Sequence, residues 1–129
     1  MVEGEQLNKL TERIIGAAID VHRVLGPGLL ESAYEACLAF ELGSQGLKVE
    51  RQRALPVVYR NINLDCGYRL DLVVEKNIVI ELKAIERLLP IHKAQLLSYM
   101  KLSGLKVGLL INFHTKLLKD GVIRLVNNF

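Results

Sequence analysis

The run Lys106-Val107-Gly108-Leu109-Leu110-Ile111-Asn112-Phe113 is strand-length and almost wholly apolar. A strand of this texture is buried on both faces, so its sheet must be covered from above and below. The rest of the sequence supplies the cover. Leu7, Leu10, Ile14, Ala18, Val21 and Leu25 recur at steps of three and four, which predicts one apolar helix face from Gln6 to Leu25. Gly26-Pro27-Gly28 breaks that helix. A second helix is expected from Leu29 to Leu42, with Leu30, Tyr34, Cys37, Leu38 and Glu41 on one side and Gly43 and Gly46 at its end. Pro90 suits a first turn, and Leu96, Leu97, Met100 and Leu102 carry a third helix to a cap at Gly104.

The remaining strands follow from β-branched and alternating patterns. Lys48 to Tyr59 reads as a strand or two, with Pro56 at an irregular or edge position. Ile62 to Val74 and Ile78 to Ala84 read as a hairpin turning at Glu75-Lys76-Asn77, and Val122 to Val126 as a last strand. The predicted order is α-α-β-β-β-α-β-β, an α/β (α+β) fold with a central mixed β-sheet flanked by helices. No repeat, low-complexity tract or linker interrupts the 129 residues, so one domain over 1–129 is expected.

Composition removes several function classes. Half the residues are hydrophobic and 24% are charged, which excludes a disordered chain. Seventeen Lys+Arg against fourteen Asp+Glu give a net charge of +3. That figure permits an anionic partner without demanding one. Aromatics are 5% and Trp is absent, which argues against a platform of several base-stacking rings. Cys37 and Cys66 lie far apart, His22, His92 and His114 are scattered, and no Cys-x-x-Cys or His-x-x-x-His occurs, so a structural zinc site is not expected. No apolar run of membrane-spanning length and no signal peptide is found. A reduced, soluble, cytoplasmic protein without a membrane partner is the expectation.

The chemistry concentrates in Tyr68-Arg69-Leu70-Asp71-Leu72-Val73-Val74 and Ile78-Val79-Ile80-Glu81-Leu82-Lys83. Alternation puts Leu70, Leu72 and Val74 on one face with Ile78, Ile80 and Leu82. Asp71 and Val73 then share the other face with Val79, Glu81 and Lys83. A turn centred on Lys76 sets Asp71 opposite Glu81, with Lys83 two residues along. Like charges in opposed positions destabilise a sheet unless a cation sits between them. Paired carboxylates suit Mg²⁺ or Mn²⁺, and the lysine can assist a water attacking phosphorus. A plain ion pair of Asp71 with Lys83, leaving Glu81 at a solvated edge, is the competing explanation.

Two further groups accompany the hairpin. Gln95 and Tyr99 share a face of the third helix, with His92 beside them. Glu31 opens the second helix, where its carboxylate either complements the helix N-terminus or reaches a metal. Tyr34 is three residues on and reads equally as core. His22 lies beside Val21 and Leu25 and reads as a core or boundary histidine.

Taken together, Asp71, Glu81-Leu82-Lys83 and Gln95-x3-Tyr99 resemble the active-site signature of PD-(D/E)xK nucleases, in the branch that includes RecB-type exonucleases. Gly28-Leu29-Leu30-Glu31 with Tyr34, and the ending Val107 to Phe113, are similar to the small prokaryotic GxxExxxY family of that superfamily. The resemblance spans roughly residues 10–126. Leu70 stands where the superfamily name has Pro, and Tyr34 falls one position early; neither departure removes a ligand. The resemblance implies a restriction-endonuclease-like core and a metal-dependent nuclease, with DNA the preferred partner over RNA. It implies that Asp71, Glu81, Glu31 and the main-chain carbonyl of Leu82 bind Mg²⁺ or Mn²⁺, and that Lys83 serves the attacking water. Gln95 and Tyr99 would support them, with Tyr34, His92 and Lys93 near substrate.

The superfamily also contains non-cleaving members, so a nucleic-acid- or protein-binding module with this fold is the alternative. The small size also suggests a homo-oligomer. Lys48, Arg51, Arg53, Arg60 and Arg69 could line a phosphate track or stand as solvated strand charges, and Lys93 and Lys101 lie on the helix of Gln95.

Overall fold

The computed structural model describes residues 2–127, with side chains from residue 4 onward. The periodic segment at the start forms α1 (Val2–Leu25), and the helix after the Gly-Pro-Gly break is α2 (Glu31–Ser44). Gly26 and Gly28 both take positive φ (68° and 107°), a conformation that ends α1 and turns the chain back. Leu30 is extended at the cap of α2 and 79% exposed, so it precedes the helix instead of joining its apolar face.

Seven strands follow: β1 (Val49–Ala54), β2 (Val57–Tyr59), β3 (Ile62–Leu64), β4 (Arg69–Val74), β5 (Ile78–Lys83), β6 (Val107–Asn112) and β7 (Val122–Val126). The third helix, α3 (Pro90–Ser103), lies between β5 and β6. Lys48 to Tyr59, read as a strand or two, is two strands, and Ile62 to Val74, expected as continuous, is divided, so the order α-α-β-β-β-α-β-β is corrected to one with five strands before α3. Leu55-Pro56 separates β1 from β2, since Pro cannot donate to a ladder. Residues 65–68 separate β3 from β4, where Gly67 sits at φ 78° and its N–H donates to Asp65 Oδ1 at 3.0 Å. The pieces cut off, β2 and β3, pair only with each other.

The main sheet has the order β1-β4-β5-β6-β7. Pairing is antiparallel except between β5 and β6, which run parallel through the α3 crossover. Helices cover both faces. Ile14, Ala18 and Val21 of α1 and Tyr34, Leu38 and Leu42 of α2 pack on Leu72, Val74, Ile78, Ile80, Leu109 and Ile111. Leu96 and Met100 of α3 pack on Val73, Val79 and Leu110 from the other side. All six residues of β6 are buried, as its texture requires. At Gly108 a Cβ would fall 2.7 Å from Met100 Sδ, so the missing side chain is what lets α3 lie close to the sheet.

One face assignment changes. Leu70 packs with Val73 and Val79 beneath α3, whereas Leu72 and Val74 face α1 and α2. Strict alternation groups Leu70 with Leu72, so the side chains change face between them, although the pairing with β1 keeps one register (Arg51 with Leu72, Arg53 with Leu70). The change of face falls at Asp71.

Candidate active site

The hairpin register is the one centred on Lys76: Leu72 pairs with Ile80, Val73 with Val79 and Val74 with Ile78. The next pair would be Asp71 and Glu81, and there the ladder stops. The carboxylates take the place of main-chain carbonyls. Asp71 N–H donates to Glu81 Oε2 at 2.8 Å, and Leu82 N–H donates to Asp71 Oδ2 at 2.9 Å. On the other side of β4 the ladder to β1 also skips a pair, Gln52 with Asp71, and Gln52 sits at φ 51°. A non-glycine residue in that region is strained, and such strain concentrates at functional positions. The Gln52 amide nitrogen donates to both Asp71 Oδ1 and Glu35 Oε1.

The resulting gap is strongly acidic. Glu81 is only 7% exposed, and its carboxyl is pushed up to about 8 by burial first and by the neighbouring Asp71 second. Burial also raises Asp71, with Glu35 and Glu31 adding repulsion against the hydrogen bonds from Leu82 and Gln52. Lys83 lowers the Glu81 value a little, yet among the described residues it forms no ion pair within 4 Å. A simple Asp71–Lys83 pair with a solvated Glu81 is therefore not what this hairpin builds.

Glu31 lies at the exposed start of α2 and, with Ser32, Glu35, Gln52, Asp71 and Leu82, lines a pocket of about 280 Å³. Glu35 and Gln52 are the additions to the residues expected from sequence. Glu35 is buried, and Arg51 donates to its Oε2 through Nε and Nη2, both at 3.2 Å. Its only sequence signal is the i, i+4 spacing from Glu31. Arg51, expected on a phosphate track, is engaged by Glu35, and Arg53 stands 3.8 Å from Glu50.

The other named residues are dispersed. Tyr99 is half-buried on α3, its ring 5.8 Å from Tyr68, and its hydroxyl is raised by burial and then by Glu81. Gln95 and Lys93 are exposed on the same helix and make no side-chain hydrogen bond among the described residues. His92 caps α3, its Nδ1 accepting Leu89 N–H at 2.8 Å. Tyr34 is fully buried: it stacks on Phe113 at 4.4 Å, donates to Gly26 O at 2.6 Å and accepts Leu29 N–H at 3.1 Å. Its ring and hydroxyl hold the loop before α2, well inside the molecular surface. His22 is buried, with Nε2 2.8 Å from Thr115 O.

Among the described residues no three His, Cys, Asp or Glu side chains converge as a ready metal cage. The donor set nevertheless suits a hard divalent ion, which takes one or two carboxylates and keeps several waters. Lys83 O accepts the N–H of Phe113, just past β6, at 2.8 Å, so the alternation of a strand turns the Leu82 main chain toward Asp71 and the pocket. A cation there would offset the burial and the Asp71 repulsion that together raise the Glu81 carboxyl.

A five-stranded mixed sheet between helices, with acids at the mouth of its central hairpin, is a restriction-endonuclease-like fold. Residues 8–125 match the family model of the PD-(D/E)XK nuclease superfamily, and the chain belongs to that superfamily. Comparison with curated proteins and with solved structures gave no match. No helix of the described residues is long and apolar enough to cross a membrane.

Proposed function

We propose that this protein is a divalent-metal-dependent nuclease that hydrolyses phosphodiester bonds, with DNA as its preferred substrate. The observation that carries this reading is the abandoned pairing of Asp71 with Glu81, a half-buried and a buried carboxylate set against each other beside a lysine. Asp71, Glu81 and the Leu82 carbonyl would hold Mg²⁺ or Mn²⁺, with Glu31 and Glu35 closing the pocket from α2. When bound, such an ion supplies positive charge to a phosphoryl oxygen and acidifies water. Glu81 would hold the ion in its charged form, which then has a partner. Lys83 orients the attacking water or accepts its proton and offsets the charge growing on the phosphoryl oxygens. Tyr99, with Gln95 a turn earlier, flanks the gap from α3. The motif Gly28-Leu29-Leu30-Glu31 supports a place in the GxxExxxY family within the RecB-type branch, and a cytoplasmic homo-oligomer is part of the same proposal.

Incubation with single- and double-stranded DNA and RNA in Mg²⁺, Mn²⁺ or EDTA tests the activity. Cleavage that needs the metal and disappears in Lys83→Ala is the expected result. Equal background in both proteins on every substrate overturns it. One observation favours the second reading, a binding module: both carboxylates already have backbone partners in this structure. Such a module binds nucleic acid with salt dependence but no metal dependence.

A further inference from the structure

The acidic gap repels the backbone it is meant to cut, so a nuclease built on it needs cationic grip elsewhere. Two of the arginines nearest the gap are engaged by Glu35 and Glu50. A separate pocket of about 420 Å³ lies at the end of α1, lined by His22, Arg23, Gly26, Pro27, Lys116 and Lys119 among others, with no acid in its lining. Helix-terminus electrostatics account for His22 and Arg23, which sit in the last turn of α1. They do not account for Lys116 and Lys119, which arrive from the segment after β6 and pair with no acid among the described residues. Arg23 is held only loosely, 3.7 Å from Asp20 with both side chains exposed.

The pocket is tied to the catalytic edge of the sheet. Lys83 O accepts Phe113 N–H at 2.8 Å, and Lys116 follows three residues later. Three residues of chain span at most about 11 Å. The Phe113 ring stacks on Tyr34 at 4.4 Å and lies 6.3 Å from His22, while His22 Nε2 meets Thr115 O at 2.8 Å. Lys116 therefore hangs from a segment fixed between Lys83 and α1, and Lys119 follows on the same segment.

We propose that this pocket is a phosphate anchor, binding an internal, non-scissile phosphate of the nucleic acid whose scissile phosphate lies in the Asp71/Glu81 gap. The assignment of the scissile position rests on the nuclease reading; the anchor is tested by itself. The probe is labelled single- and double-stranded DNA, with and without a 5′-phosphate. Its anisotropy with the full chain is followed in EDTA across a salt series for wild type, K116A/K119A and K116R/K119R. The alanine pair binds about ten-fold more weakly, with a log–log salt slope shallower by about one, and the arginine pair recovers binding. Equal affinity and slope in wild type and the alanine pair overturn the anchor. A wild type that binds no DNA overturns it too. A loss confined to 5′-phosphorylated DNA overturns the internal assignment in favour of a terminal one. Cleavage assays with Mg²⁺ separate the two readings. Binding through the lysines without any cutting ends the nuclease reading and keeps the anchor. Cutting with KM unchanged in the alanine pair does the reverse.

Discussion

The two ends of the β4–β5 hairpin are built on opposite principles. Near the turn, Val73 faces Val79 and Val74 faces Ile78 in a regular ladder of fully buried side chains. At the mouth, main-chain pairing ends and two carboxylates bridge the strands. The turn end draws stability from helices on both faces, whereas the mouth sets like charges side by side in a half-dry pocket. Buried acids of this kind persist because the apolar end holds the strands in place regardless of what happens at the mouth.

Substitutions at each end make that contrast measurable. The largest effect falls on activity. Asp71→Asn and Lys83→Ala each lower metal-dependent cleavage by about 10²–10³-fold or more, while circular dichroism melts keep the Lys83 variant close to wild type. Wild-type cleavage in either removes the mouth from catalysis.

At the turn end, Ile78→Ala costs about 2–4 kcal/mol in denaturant unfolding, because a fully buried side chain leaves a cavity between α1, α2 and the sheet. A loss well under about 1 kcal/mol would show that this end is not the base of the hairpin.

Glu81→Gln separates the ends by sign. Folding raises the Glu81 carboxyl from 4.5 to about 8, so the folded state holds that proton more tightly than the unfolded chain. Its favourable contribution is full below about 4.5 and is lost as pH rises to about 8. In EDTA above pH 8, Glu81→Gln is therefore more stable than wild type by about 1–2 kcal/mol. The advantage fades toward pH 4.5. Urea midpoints at the two pH values check it, and a variant less stable than wild type at the higher pH contradicts it.

The smallest effect is at Tyr34→Phe. It loses the bonds to Gly26 O and Leu29 N–H and lowers stability by about 1 kcal/mol, read from the thermal midpoint.

Much of this arrangement was legible because it is periodic. Steps of three and four place α1, Pro90 and Gly104 frame α3, and the Lys76-centred register brings Asp71 toward Glu81. The change of face at Asp71 is not periodic. It coincides with Gln52, a residue nineteen positions earlier whose positive φ has no signature in its own neighbourhood. Glu35 was hidden for a similar reason, since its partners Arg51 and Gln52 come from another element. Ile62 and Leu64 carry strand letters, but the turn at Asp65-Cys66-Gly67 detaches them from the main sheet, where they lie exposed. Tyr34 shows the converse: one apolar letter on a helix serves equally a core contact, a loop clasp and a ligand.

The acids at the hairpin mouth also bear on how such a chain changes over generations. The layers that fold the protein do not need them, and at high pH without metal the amide is expected to be the more stable side chain at position 81. If the chain cuts as proposed, loss of cutting is thus a short step that leaves the sheet and the basic pocket intact, and relaxed selection would turn it into a binder.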